Sequence, residues 1–169
     1  MDGLERLWAG WRSEYVGGAG AAGPGDDGCV FCRILSSGLP DSETKVVWRS
    51  PSGSVAVMLN AYPYTSGHLM VLPLGHVGEL EDLGDDAAAL WDAVRAAVVA
   101  LKVAYSPDGL NVGANIGRAA GAGVPGHFHV HVLPRWGGDT NFMTTVAEAR
   151  VLPESLDASW SKVRAAWPG

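Results

Sequence analysis

Positive charge is scarce in this sequence of 169 residues: Lys and Arg number 12 against 18 Asp and Glu, and the formal net charge is −6. Proteins that bind the nucleic-acid backbone draw their affinity from clustered Lys and Arg. The composition therefore argues against a nucleic-acid partner. An anionic substrate would have to meet a local positive site, because the net charge of the chain is itself negative.

Long apolar runs are also missing. No run approaches the roughly 20 apolar residues that a membrane-spanning helix needs, and the opening MDGLERLWAGWRSEY lacks the basic start and apolar core of a secretory signal. A hydrophobic share of 47% and a charged share of 18% are typical of one globular domain of ordinary size. We expect a cytoplasmic protein with no membrane partner.

Cysteine occurs only twice, as Cys29 and Cys32 in the tetrapeptide Cys-Val-Phe-Cys. In a reducing compartment this spacing is typical of half a zinc site or of a redox pair, and less often of a stable disulfide. Two small buried thiols without a metal are the simpler alternative. Further ligands are needed before the pair predicts a metal site.

Histidine is scarce too, but three of the five stand at alternate positions in His127-Phe128-His129-Val130-His131. The period of two, with aromatic and β-branched residues between, predicts a strand with one apolar face and one imidazole face. Neighbouring histidine Cα atoms on such a face stand about 7 Å apart, so the rings can contact one small ligand or metal. Ordinary half-buried histidines and a metal-binding tract are the alternative interpretations.

Small and charged residues flank the histidines. The preceding segment Gly121-Ala-Gly123-Val-Pro-Gly126 has a backbone that can approach an anion closely and offer it N–H groups. Arg135 and Trp136 follow the histidines with a fixed charge and a flat ring, although a solvated arginine and a packed tryptophan are common. Together these residues predict a pocket for a phosphate and a base.

Local patterns predict an α+β domain with a largely antiparallel sheet. Strands are expected over residues 54–60, 68–73, 110–116 and 127–133, and helices over residues 85–105 and 155–167. Asp85 or Asp86 is placed to cap the longer helix, and Pro107 and Gly109 to end it.

The start of the chain differs in composition from the rest. Apolar residues recur there at helical spacing, namely Leu4, Leu7, Trp8, Trp11 and Tyr15. Residues 16–28 are rich in Gly and Ala and predict a flexible connector. We therefore expect residues 1–28 to form an N-terminal helix and connector, and residues 29–169 to form the folded domain.

Residues 29–143 resemble the histidine triad (HIT) family of nucleotide hydrolases and transferases. The resemblance rests on the alternating histidines with their Gly-rich approach and on Asn60 followed by Gly67-His68-Leu-Met-Val-Leu-Pro-Leu-Gly-His76. The ending Pro134-Arg-Trp-Gly-Gly-Asp-Thr-Asn-Phe-Met143 is similar to the branch that acts on dinucleoside polyphosphates. The resemblance implies a HIT-like fold, a homodimer and cleavage at the α-phosphate of a nucleotide or dinucleotide.

Roles for individual residues follow from the resemblance. His129 is implied to be the nucleophile that forms a covalent nucleotidyl-histidine, which water or inorganic phosphate then resolves. A neutral imidazole suits this role, because an ordinary histidine pKa of about 6.5 leaves most rings uncharged at pH 7. The candidate donors to phosphate are His131, His68, Asn115 and the backbone of Gly121, Gly123 and Gly126.

Asn60 is similar to the residue that holds the ribose hydroxyls, with an ordinary turn asparagine as the alternative. For Asn115 the alternative is a side chain that closes onto its own backbone. The resemblance also implies a structural zinc ion on Cys29, Cys32, His76 and His127, and two thiolates with two imidazoles suit tetrahedral zinc.

The sequence departs from the family in one respect. Many members carry a Ser or Thr between the glycines and the histidines, whereas residues 121–126 contain no hydroxyl, so the leaving group stays open. Two other functions are compatible with the residues. One is a metal-dependent hydrolase in which His127, His129 and His131 hold a catalytic zinc. The other is a zinc-stabilised nucleotide-binding protein without turnover.

Overall fold

The computed structural model describes residues 28–140 and 153–169. The expected N-terminal helix and nearly all of its connector lie outside these residues, so the division of the chain at residue 28 stays a prediction. The helices and strands in chain order are α1 (Val30–Leu35), α2 (Asp41–Thr44), β1 (Val46–Arg49), β2 (Val55–Leu59), β3 (Leu69–Pro73), α3 (Asp86–Tyr105), β4 (Gly109–Ala114), β5 (Val130–Arg135) and α4 (Leu156–Ala165), with single 3-10 turns at Leu80–Leu83 and Arg118–Ala120.

The five strands form one antiparallel sheet in the order β1-β2-β3-β5-β4. Strand β5 lies between β3 and β4, so that His131 stands opposite Met70 on one side and Gly113 on the other. Strand β4 is at the edge of the described sheet and leaves Val112 45% exposed. This architecture confirms the α+β class with an antiparallel sheet and flanking helices. The expected homodimer stays a prediction.

Helices α3 and α4 cover one face of the sheet. Along α3, Leu90, Ala97 and Leu101 recur at helical spacing and have no exposed surface. They pack with residues from the strands, among them Val57, Leu59, Val71, Val130 and Val132. Full burial of one such leucine or valine is worth roughly 1.5–3 kcal/mol, so this larger cluster is the main apolar core. Among the described residues, each helix is too short or too polar to span a bilayer.

The other face of the sheet packs against α1. Its smaller cluster contains Cys29, Phe31, Val46, Met58, Met70 and Leu72. Because successive side chains of a strand point to opposite faces, Val57 joins the helices while Met58 joins α1. The same alternation in β5 directs Val130 and Val132 to the helices and turns His131 towards the α1 side.

A glycine positions the turn between β2 and β3. Gly67 has a φ of 79°, and a Cβ atom at this position would lie 2.5 Å from the Tyr105 ring of α3. Only glycine combines this left-handed backbone with such a close approach. The turn can therefore lie close against α3, and the next residue, His68, is brought beside His131 of β5.

Some local expectations were wrong. The Asp85 side chain makes no capping hydrogen bond, although Asp85 is the residue that precedes α3. Gly109 begins β4, whereas α3 ends at Tyr105 and is capped by Ser106, which has a φ of 44° and donates its N–H to the Lys102 carbonyl. Strand β1 was not expected at all. Strand β5 begins at Val130, so two of the three alternating histidines lie just before the strand.

Candidate active site and metal cluster

His129 is buried, with 4% of its surface exposed, immediately before β5. Its Nδ1–H donates to the main-chain carbonyl of His127 at 2.8 Å. A carbonyl oxygen can only accept, so the single proton of the neutral ring is on Nδ1 and Nε2 carries the lone pair. Burial lowers the pKa of His129 below its usual value, against a smaller opposing effect of this hydrogen bond, because desolvation disfavours the charged ring. Burial therefore favours the neutral ring, with its lone pair on Nε2.

His131 is held in the opposite tautomer by His68. The Tyr64 N–H donates to Nδ1 of His68 at 3.1 Å, and the Asn60 side-chain amide lies 3.4 Å from the same nitrogen. Because Nδ1 of His68 accepts, its Nε2–H donates to Nδ1 of His131 at 2.9 Å. The proton of neutral His131 is then on Nε2. His131 thus offers a donor where His129, at a ring distance of 4.9 Å, offers a lone pair.

The role expected for His68 changes accordingly. Its side chain has no exposed surface, so it contacts His131 and not a phosphate. Fully burying an imidazole without partners would cost several kcal/mol, and the hydrogen bonds at both ring nitrogens offset that cost. His68 therefore orients a neighbouring side chain.

The four expected metal ligands converge in one cluster. Ligand atoms of Cys29, Cys32, His76 and His127 all lie within 4.8 Å of one another. Nδ1 of His127 is 3.3 Å from Sγ of Cys29 and 3.5 Å from Sγ of Cys32, and Nδ1 of His76 is 3.3 Å from the latter sulfur. Tetrahedral zinc with its usual bond lengths separates sulfur and nitrogen ligands by about 3.5 Å. The residues present therefore fit a zinc ion.

His127 is oriented for such a cluster by the end of β3. Its Nε2–H donates to the Pro73 carbonyl at 2.9 Å, and the ring has no exposed surface. Nδ1 is thus the nitrogen that carries the lone pair and faces the two sulfurs. A carbonyl that accepts from the second nitrogen is the usual way to fix a metal-binding histidine.

In the glycine-rich segment, residues 121–126, one of the glycine amides is hydrogen-bonded to a nearby carbonyl. The Gly121 N–H donates to the Arg118 carbonyl at 2.9 Å, so this amide is already committed. Within the described residues the amides of Gly123 and Gly126 make no hydrogen bond. Gly126 lies against the metal cluster, because a Cβ added there would stand 3.7 Å from Nε2 of His76. The role of Gly123 and Gly126 as donors to a phosphate stays a prediction.

The two asparagines make local hydrogen bonds. The Asn60 Oδ1 accepts from the Tyr62 N–H at 2.9 Å, and the Asn115 Nδ2 donates to the Gly121 carbonyl at 3.5 Å. Each side chain thus braces a turn, as the alternative interpretations expected. Their contacts to ribose and phosphate stay predictions.

Arg135 and Trp136 are held by the loop that follows β5. The Arg135 guanidinium donates to both carboxylate oxygens of Asp139, at 2.6 and 2.7 Å, and to the Asn111 side chain at 2.8 Å. These hydrogen bonds hold the pKa of Asp139 well below its usual range. The Trp136 ring packs edge-on against Tyr105 at 6.0 Å, on the helix-covered side. Substrate roles for both residues therefore rest on the sequence alone.

Sequence reasoning missed two contributors, Phe31 and Tyr64. Phe31 packs edge-on against the rings of His127 and His129. Its position between Cys29 and Cys32 could have predicted this contact, because a residue between two metal ligands lies close to the metal site. Tyr64 acts on His68 through its backbone N–H, and no side-chain pattern can signal a main-chain contact.

Comparisons with known proteins agree with this geometry. The HIT domain family model matches residues 41–138. The AP-4-A phosphorylase of Mycobacterium tuberculosis is 41% identical over 163 residues, which cover 92% of this chain and 80% of that protein.

Two solved structures share the fold. A hypothetical histidine triad nucleotide-binding protein from Sulfolobus tokodaii has a TM-score of 0.65 at 31% identity and covers 82% of this chain and 91% of its own. A Zn-bound histidine triad family protein from Mycobacterium smegmatis has a TM-score of 0.65 at 30% identity and covers 84% of this chain and 94% of its own. The chain therefore belongs to the HIT domain family, and it is an enzyme of the nucleotidyl hydrolase and transferase type.

Proposed function

We propose that the protein cleaves dinucleoside polyphosphates at the α-phosphate through a covalent nucleotidyl-histidine on His129. The observation that carries the proposal is the hydrogen bond from Nδ1–H of His129 to the His127 carbonyl, which leaves the lone pair on Nε2. The name of the 41% identical relative, AP-4-A phosphorylase, supports this substrate class.

In the first displacement, Nε2 of His129 attacks the α-phosphorus. A P–N bond forms, the P–O bond to the rest of the polyphosphate breaks, and the leaving oxygen takes the electron pair. We assign the His131 Nε2–H as a hydrogen-bond donor to that oxygen. The His129 ring gains positive charge in this step, and the His127 carbonyl, 2.8 Å from Nδ1, stabilises it.

In the second displacement, water or inorganic phosphate attacks the same phosphorus. The P–N bond breaks, its electron pair returns to Nε2, and a nucleoside monophosphate or diphosphate is released; when water attacks, its proton passes to the solvent. Negative charge spreads over the phosphoryl oxygens in both steps. We assign the amides of Gly123 and Gly126 as donors to these oxygens and Asn60 to the ribose.

We infer that Cys29, Cys32, His76 and His127 hold one structural zinc ion. Four protein ligands leave no open position for water, so the ion would fasten α1 to the segment that carries His129 and take no part in the chemistry. The alternative of a catalytic zinc on His127, His129 and His131 has less support. Among the described residues, only the Cys and His cluster brings three or more such ligand atoms together.

The decisive experiment is a product analysis with a panel of dinucleoside polyphosphates, with and without inorganic phosphate. Nucleoside diphosphate formed only when phosphate is supplied identifies a phosphorylase, and monophosphate formed in water identifies a hydrolase. Replacing His129 with Ala should lower kcat by at least about a thousandfold while the fold is retained. Mass spectrometry of acid-free quenched samples should find one nucleotidyl group on the peptide that contains His129.

A matched control is Arg95→Ala, because Arg95 lies on the solvent side of α3 with 83% of its side chain exposed. It should leave kcat unchanged. Full turnover in the His129→Ala variant, or no adduct during steady-state turnover, would reject the mechanism.

A further inference from the structure

Phe31 connects the metal cluster to the nucleophile. It stands on α1 between Cys29 and Cys32 and is 5% exposed. Its ring centroid is 5.1 Å from that of His129 at an interplanar angle of 67°, and 5.4 Å from that of His127 at 83°. One apolar side chain therefore contacts both the ring that would attack phosphorus and a ring that would bind zinc.

The His129 ring needs such a contact. The hydrogen bond at Nδ1 fixes one atom of the ring, but by itself it lets the ring plane swing and carry Nε2 with it. Two neighbouring rings restrict that movement, namely Phe31 and His131, which lies at 4.9 Å and 75°. Edge-to-face contacts of this kind prefer a particular mutual orientation. Phe31 and His131 together therefore define the direction of the Nε2 lone pair.

We propose that Phe31 is a positioning residue for nucleotidyl transfer, which holds the imidazole of His129 so that Nε2 faces the α-phosphorus. This inference rests on the proposed role of His129 as nucleophile. Cys29 directly precedes α1 and Cys32 lies within it, so the ligands on both sides of Phe31 fix its place. The Phe31 ring thus connects the metal cluster to the ring of the nucleophile.

Simple core packing would be served by other apolar side chains. Phe31 also lies in the small cluster with Met58 and Met70, and leucine would fill most of the same space. Leucine lacks the flat aromatic edge, however, so Phe31→Leu separates packing from positioning. We expect kcat to fall on the order of tenfold, because small errors in the reacting geometry are costly, and KM to stay unchanged. Phe31→Ala should lower kcat further, by roughly a hundredfold.

A control variant on the same helix distinguishes positioning from stability. Ile34 packs on the same small cluster, one helical turn after Phe31. Ile34→Ala should lower the midpoint of thermal unfolding but leave kcat unchanged. Metal content, measured by elemental mass spectrometry, should be the same in wild type, Phe31→Leu and Ile34→Ala.

A measurement independent of activity is the long-range proton–nitrogen NMR spectrum of the His129 ring. The wild type should show a single Nδ1–H tautomer, and Phe31→Leu should show line broadening from ring movement. A wild-type kcat in both Phe31 variants, a raised KM with unchanged kcat, or loss of metal from Phe31→Leu would overturn the inference. If His129→Ala is inactive but Phe31→Leu matches wild type, only the role of Phe31 fails, whereas an active His129→Ala variant rejects the proposed function itself.

Discussion

The two faces of the sheet are built from the same strands but are held together differently. On the helix-covered face, side chains such as Leu90 and Val132 stabilise the fold by filling space, so that their volume matters more than their identity. On the α1 face, buried polar groups such as His68 and His127 contribute through hydrogen bonds at defined nitrogens. A buried imidazole with an unmet hydrogen bond would cost about 1–3 kcal/mol. The α1 face is therefore stable only when each ring has the right tautomer and partner.

The largest expected difference between the faces concerns the proposed zinc site. Cys32→Ser should abolish zinc binding and lower both stability and kcat, because a structural zinc site contributes its binding free energy to folding. Leu101→Ala, on the helix-covered face, should cost about 2–5 kcal/mol of stability with zinc content and kcat of the folded enzyme unchanged. Denaturant unfolding combined with elemental analysis measures both.

A chelator gives the same comparison without mutation. It should destabilise wild type and Leu101→Ala equally, since Leu101 and Cys29 belong to separate apolar clusters and the effects of independent sites add. If Cys32→Ser keeps its zinc and its stability, the cluster is not a metal site and the contrast between the faces is lost.

The sequence predicted those features of the two faces that depend on local patterns of residues. The period of 3.6 in α3 and the apolar runs of β2 and β3 are local, and the predicted bounds agree with the observed ones to within a residue. The spacing Cys-x-x-Cys and the alternating histidines are also local. These patterns were enough to predict the fold class, whereas the set of four ligands that cluster in the structure was implied by the family resemblance.

The remaining features depend on contacts between distant parts of the chain. Cys29 meets His127 across 98 positions, and β1 is a four-residue strand whose pairing with β2 is interrupted by a register shift. The tautomer of His129 depends on a carbonyl, and that of His68 on a backbone N–H. Main-chain groups are the same at every residue, so no side-chain pattern can reveal which one will face a ring.

His68 offers a test of whether a buried polar group on the α1 face acts through its hydrogen bond. His68→Leu removes the donor to Nδ1 of His131, so the proton of His131 is no longer fixed on Nε2. We expect kcat to fall by about 10–100-fold, the usual cost of losing a partner that orients a functional side chain. Steady-state kinetics with a dinucleoside polyphosphate measures the change.

A rescue variant sharpens this test. His68→Gln retains a side-chain N–H that can reach His131, and it should recover part of the lost kcat, whereas a loss of packing would affect Gln and Leu alike. Full kcat in His68→Leu would show that His131 holds its tautomer without His68.

The smallest effect is expected at a polar contact on the helix-covered side, between α3 and Glu154. Glu154, beside the start of α4, accepts hydrogen bonds from the hydroxyls of Tyr105 and Ser159, each at 2.7 Å. It also forms an ion pair with Lys162. Burial raises the pKa of Glu154, but these hydrogen bonds outweigh burial and leave the pKa below its usual value. Burial also raises the pKa of Tyr105, so the hydroxyl remains a donor across the neutral range.

Replacing Tyr105 with Phe should therefore cost about 1 kcal/mol of stability at neutral pH, the typical value of one hydrogen bond. Because the pKa of Glu154 is lower in the folded state, its contribution is complete above the unfolded pKa of about 4.3 and is lost as the pH falls through the folded value. The stability difference between wild type and Tyr105→Phe should thus shrink in acid, as measured by urea unfolding at about pH 7 and about pH 3. An equal difference at both pH values would mean that Tyr105 stabilises the helices by packing alone, as Leu90 and Val132 do on the same face.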